Sequence, residues 1–175
     1  MTYTKEDLRP IPQYEETGIP LLRKVWDAIR ADGSAWDQGD WIGTPEDWEL
    51  ELVVIEYIEE HSVPPWNCGT AYCVAGHVAL AKGATLPRDE VAYAVETRAL
   101  QTSFIEVDGV AKPVSQYAQE VLGLDRFQTR ALFAGDNSAE LIDEYVAALE
   151  ADPNADLYTV KHTYVTSRFG PIDED

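Results

Sequence analysis

His61, Cys68, Cys73 and His77 carry the side-chain types that zinc prefers, and Cys73 and His77, at i and i+4, would share one face of a helix. The spacing is not that of a zinc finger. No close cysteine pair is present, and Cys68 falls on the approach to the helix that would carry the other two. The expectation is therefore that no metal or cofactor is bound, with Cys73 a small buried hydrophobe and His77 a core or boundary residue. Cys68 is also the one candidate nucleophile, because a thiol just ahead of a helix N-terminus has its thiolate favoured by the helix dipole. Catalysis would further need a base, an orienting group and an oxyanion site. The three histidines, His61, His77 and His162, fall in no recognisable pairing with Cys68. Gly69 for a turn and Thr70 for a helix cap account for the same stretch without chemistry.

Charge is the least ordinary feature. The chain of 175 residues holds 32 Asp and Glu against 13 Lys and Arg, a formal net charge of -19. Such a chain repels nucleic-acid phosphates and anionic lipid, which disfavours direct nucleic-acid or membrane binding. From Ala31 to Ala81 there is no Lys or Arg, while Asp32, Asp37, Asp40, Glu46, Asp47, Glu49, Glu51, Glu56, Glu59 and Glu60 accumulate. The expected interaction face is Asp40, Glu46, Asp47, Glu49, Glu51, Glu56, Glu59 and Glu60. It would meet a host protein with a basic surface, even one that normally holds nucleic acid, so that the face would act as a DNA mimic. The plainer alternative is a solvated acidic surface that confers solubility.

Three weaker signals have ordinary explanations. Asp136, Asn137 and Ser138 superficially resemble an ion-binding loop, but the alternating acidic ligands and the terminal Glu are missing, and helix capping explains them better. The segments flanking Leu122–Asp125 have the length of a helix-turn-helix. Arg126 and Arg130 are the only cations of the second helix, which fits a plain helical corner. Trp36, Trp41 and Trp66 would suit the walls of a pocket for a planar ligand, although tryptophans so concentrated are more often core.

The elements that must position these residues follow from apolar spacing and turn chemistry. Leu21, Leu22, Val25, Trp26 and Ile29 recur at helical spacing after Pro20, closed by Asp32 and Gly33. WDQGDW reads as a packed turn. Thr44 to Asp47 has the residues of a helix start, yet WELELVVIEYI alternates like a strand; helix is preferred. TAYCVAGHVALAK reads as a buried helix whose Ala71, Ala75, Gly76 and Ala79 admit close neighbours. Pro87–Ser103 is ambiguous. Asp108-Gly109 between two apolar runs predicts a β-hairpin. Three short helices should follow, one with Val114, Tyr117, Ala118, Val121 and Leu122 inward, one capped by Asp125 around Phe127, Ala131 and Leu132, and one capped by Asn137 with Glu140 and stopped at Pro153.

The blocks WDQGDW, CGTAYCVAGHVALAKGA and YAQEVLGLDRFQTRALFAGDNSAELI, in that order, resemble a group of small hypothetical proteins common in actinobacteria and their bacteriophages. The resemblance spans most of the chain, with a longer segment between Trp41 and Cys68 here. It implies that origin and this order of elements, and no particular chemistry; Trp at the His77 position in the group implies no ligand role there.

The expected fold is mainly α with a small β-hairpin, one domain of about five to seven helices on this pattern. It comprises an N-terminal arm (1–17), a globular body (18–152) and a polar, loosely held acidic tail (153–175). With 45% apolar residues, five Trp and nine Tyr, the chain can build a core. Two cysteines, no membrane-length apolar run and no apolar leader in MTYTKEDLRP point to a cytoplasmic protein, in a host's cytoplasm if phage-encoded. The leading expectation is a non-catalytic acidic binding protein. The alternatives are a small enzyme or metal protein centred on Cys68, Cys73 and His77, and a small-molecule sequestering protein with a pocket lined by Trp36, Trp41 and Trp66.

Overall fold

The computed structural model describes residues 4–32, 36, 38–39, 42–43, 49–66 and 71–170, and its first helix, α1, spans Gly18–Asp32. The predicted apolar stripe of α1 is the buried one: Leu21, Leu22, Val25, Trp26 and Ile29 are each at most 4% exposed. Pro20 sits in the first turn, where a missing N–H costs no intrahelical bond. After α1, strand β1 (Ile42–Gly43) is the centre of a small antiparallel sheet. Its two partners are β2 (Ala71–Tyr72) and β3 (Gln101–Thr102), with Ile42 opposite both Tyr72 and Thr102.

Helix α2 runs Leu52–His61, so the ambiguous acidic segment is helical where it is described. Its buried residues, Val54, Ile55 and Ile58, follow a helical and not an alternating period. The expected start at Thr44–Asp47 lies outside the described residues. Glu51 is the observed N-cap, and Ser62, left-handed at φ 56°, closes the helix. Helix α3, Val74–Ala81, is buried on every side and packs against α1 and against α5 (Val114–Leu122). Its small residues, Ala75, Gly76 and Ala79, allow that approach, as expected. The helix begins later than the sequence pattern suggests, because Ala71 and Tyr72 are taken into the sheet and Cys73 becomes the N-cap.

Pro87–Ser103 resolves into α4 (Arg88–Thr97), which packs on α2, followed by β3. The hairpin is β4 (Phe104–Val107) and β5 (Val110–Pro113). Asp108 and Gly109 both have positive φ, 52° and 75°, as the two-residue turn requires. Thr85 bridges the other edge of β4 through paired bonds with Glu106.

Helices α5, α6 (Arg126–Leu132) and α7 (Ala139–Ala151) follow in the expected order. Asp125 caps α6 as predicted, accepting from the N–H groups of Phe127 and Gln128 at 2.7 and 2.8 Å. Ala131 and Leu132 of α6 are buried as expected, but the third expected inward residue, Phe127, is not. Phe127 is 60% exposed, and Gln128 is buried in its place, its Nε2 donating to the carbonyls of Pro153 and Ala155. The cap of α7 is also displaced by one position. Ser138 Oγ accepts from Leu141 N–H, while Asn137 is buried and donates to the carbonyls of Ala131 and Leu132, closing the end of α6 instead.

Neither flank behaves as an appendage. Within the expected arm, Leu8 and Ile11 are buried, Trp66 N–H donates to Arg9, and Tyr14 N–H donates to Ala81. The expected loose tail instead contains an eighth helix, α8 (Leu157–Phe169). It is capped by Asp156, anchored by buried Leu157 and packed on α6 and α7 through Val160 and Tyr164. An Asp cap followed by apolar residues at helical spacing explains the helix despite the polar composition. Eight α-helices and two small sheets among the described residues make the fold mainly α with a minor β-hairpin.

Candidate functional site

The acidic residues of α2 are sorted by its helical period. Leu52, Glu56, Glu59 and Glu60, at i, i+4, i+7 and i+8, lie on the side away from Val54, Ile55 and Ile58. All four are exposed, Leu52 at 61%. Glu56 pairs with Lys5 at 3.2 Å, and among the described residues Glu59 and Glu60 have no cationic partner. Glu49 and Glu51 precede the helix. Glu49 pairs with Arg98 at 3.6 Å, and Leu50 N–H donates to the Arg98 carbonyl, which ties this stretch to the end of α4.

Two cations from outside the segment thus reach into it, so its carboxylates are not all uncompensated, as the run without Lys or Arg suggests. Asp40, Glu46 and Asp47 lie outside the described residues. Sequence reasoning missed the contribution of α4, which carries Asp89 and Glu96 with half-exposed Tyr93 on one outward stripe. The signal was present in the spacing of those three residues, but the helix itself was not assigned.

The Cys and His candidates are dispersed or enclosed. His77 is 1% exposed, with its ring edge-on to Trp66 and to Tyr72, 4.9 Å between centroids in each case. Cys73 is equally buried. His61 is exposed on α2, its ring stacked on Tyr57 at 4.1 Å with Nδ1 3.0 Å from the Tyr57 carbonyl. Among the described residues no three His, Cys, Asp or Glu are grouped to hold a metal ion. Cys68 lies outside them.

Trp36 and Trp66 are engaged in packing. Trp36 meets Trp26 edge-on at 5.7 Å, and Trp66 belongs to the core beside His77. Trp41 lies outside the described residues. Among the described residues, open cavities of about 490 Å³ between α7 and α8 and about 470 Å³ at the α5–α6 corner are lined by neither Trp36 nor Trp66.

Within the WDQGDW block, Gln38 has a structural role. Gln38 is buried, its Oε1 accepting from Trp36 Nε1 and Val74 N–H at 3.3 Å and its Nε2 donating to the Leu132 carbonyl at 2.9 Å. One amide therefore joins the start of α3 to the end of α6. The shifted carboxylates have local causes too. Asp136 is held below the usual carboxylate range by the Lys161 ammonium 3.0 Å away, and Glu150 is held there by Arg23.

Compared with known proteins, the chain matches no protein-family model, no curated protein and no solved structure. No helix among the described residues is long and apolar enough to cross a membrane.

Proposed function

We propose that this is a non-catalytic binding protein, phage-encoded and acting in a host cytoplasm, that engages the basic surface of a host protein through the outer stripe of α2. The observation that carries the reading is the placement of Glu56, Glu59 and Glu60 around exposed Leu52 on one side of a helix whose other side is core. Carboxylates so arranged raise the encounter rate with a basic partner and set its orientation. An exposed Leu among them gives the contact an apolar anchor, where binding energy concentrates once water is excluded. On α4, Asp89, Tyr93 and Glu96 repeat the combination of acid and large apolar ring. A partner that normally holds nucleic acid would meet these carboxylates with its phosphate-binding side chains.

The test is a paired pull-down from actinobacterial lysate with the wild-type chain and the Glu56→Gln, Glu59→Gln, Glu60→Gln triple variant as baits. A protein held at low salt by the wild type, released at high salt and missing from the variant supports the reading. Equal capture by both baits, or capture indifferent to salt, removes it.

A further inference from the structure

We propose that the open cavity at the α5–α6 corner binds a small molecule that carries a phosphate group on an apolar or aromatic body. The cavity, about 470 Å³, is lined by Ser115, Arg126, Thr129, Arg130, Phe133 and Ala134. This is within the range of small-molecule sites. Arg126 and Arg130 stand at i and i+4 on α6, so both guanidinium groups project from one side of the helix, with Cβ atoms about 6 Å apart.

In a chain with a net charge of -19, most of the cations that can be described are tied to carboxylates: Lys5, Arg23, Lys24, Arg30, Arg98, Lys112 and Lys161 all are. Arg126 and Arg130 are not. Neither makes a hydrogen bond or ion pair among the described residues, although both line the same concavity. Asp125, the carboxylate nearest in sequence, accepts the N–H groups of Phe127 and Gln128 at the helix start, both through Oδ1, and pairs with neither arginine.

The Arg126 guanidinium lies over the Phe127 ring at 5.2 Å, a contact that steadies the plane and leaves its edge N–H donors available. Ser115 Oγ adds a hydroxyl that makes no bond among the described residues, whereas the Thr129 hydroxyl already donates to the Asp125 carbonyl at 2.6 Å. Two forked cations and one hydroxyl match the charge and the tetrahedral oxygens of a phosphate monoester, for which arginine is the preferred partner. Phe133, 6% exposed, and Ala134 supply an apolar wall for the rest of the molecule. This site shares no residue with the α2 stripe.

The experiment is titration of the full chain with phenyl phosphate, followed by amide chemical shifts and calorimetry, with inorganic phosphate and phenol as separate arms. Saturable shifts confined to residues 114–134, tighter for phenyl phosphate than for inorganic phosphate and not produced by phenol, are expected. Arg126→Gln with Arg130→Gln should weaken binding at least about tenfold with the unfolding midpoint unchanged. The Arg126→Lys, Arg130→Lys pair, which keeps the charge and the fold, should lose less. Absence of saturable binding into the millimolar range, shifts that map elsewhere, affinity unchanged in the arginine variants, or equal affinity for inorganic phosphate would each overturn the assignment.

Discussion

Gln38 Nε2 donates a 2.9 Å hydrogen bond to the Leu132 carbonyl, which also accepts from Asn137 Nδ2 at 3.0 Å. The last turn of α6 leaves carbonyls without intrahelical partners, and two buried amides from different parts of the chain satisfy them. Gln38→Leu should therefore cost about 2–3 kcal/mol, since Val74 N–H and Trp36 Nε1 lose their acceptor as well. Gln38→Glu should be at least as damaging, because a carboxylate cannot donate to Leu132 and brings a charge into a buried site. Urea unfolding of both variants measures this; a midpoint unchanged in Gln38→Leu would show the amide to be dispensable.

Tyr145 should be improved by losing its hydroxyl. The side chain is fully buried, and its OH has no hydrogen-bond partner among the described residues. Burial pushes its pKa up to about 12. Tyr145→Phe keeps the ring and removes the unsatisfied group, with an expected gain of about 1 kcal/mol in urea unfolding. A loss of stability would mean that the hydroxyl has a bonding role.

The Arg23–Glu150 pair gives a defined acid dependence. Arg23 Nε and a terminal guanidinium nitrogen donate to the two Glu150 oxygens at 2.9 and 2.6 Å, which lowers the Glu150 pKa from its ordinary 4.5. A carboxylate with a depressed folded-state pKa stabilises fully above its unfolded value and loses that contribution as pH falls through the folded one. Glu150→Gln should thus cost at most about 1 kcal/mol at neutral pH, as for a partly exposed pair, and nothing once the wild-type carboxylate is protonated. Thermal unfolding of both proteins from neutral pH down through the titration of the Glu150 carboxylate checks it; a difference that persists after the carboxylate is protonated would assign the effect to packing.

Helix α8 should prove integral to the fold. Ending the chain after Ala151 removes buried Leu157 and the packing of Val160 and Tyr164. It also removes the Pro153 and Ala155 carbonyls that hold Gln128. The expected loss is about 3 kcal/mol or more. An unfolding midpoint equal to that of the full chain would show the helix to be undocked.

Zinc should have no stabilising effect. His77 lies between Trp66 and Tyr72 and Cys73 is enclosed, so the unfolding temperature should be the same in chelator and in stoichiometric zinc. A rise of several degrees with zinc would contradict this, since structural zinc contributes directly to folding free energy.

Much of this fold was legible along the chain because its signals are local. The apolar period of α1, the Asp108-Gly109 turn and the Asp125 cap each depend on residues within a few positions, and each is found where the sequence puts it. Local reading failed where a distant surface competed. Phe127 faces water while Gln128 is buried, because the carbonyls of Pro153 and Ala155 need a donor that an amide has and a phenyl ring lacks. Asn137 has the composition of a helix cap but serves the end of α6, and Ser138 takes its place. The polar stretch after Asp152 looked unable to bury anything until α6 and α7 supplied a surface for Leu157.

The same division holds for the candidate sites. The charge excess and the residues that carry it can be read along the chain, since composition does not depend on folding. Which carboxylates are paired depends on how the chain folds back on itself. Lys5 and Arg98 reach Glu56 and Glu49 from outside the acidic run, whereas Arg126 and Arg130 are left facing a cavity. Ion pairing and enclosure are properties of distances between chain segments, and those distances are set by how the apolar faces of the helices pack together.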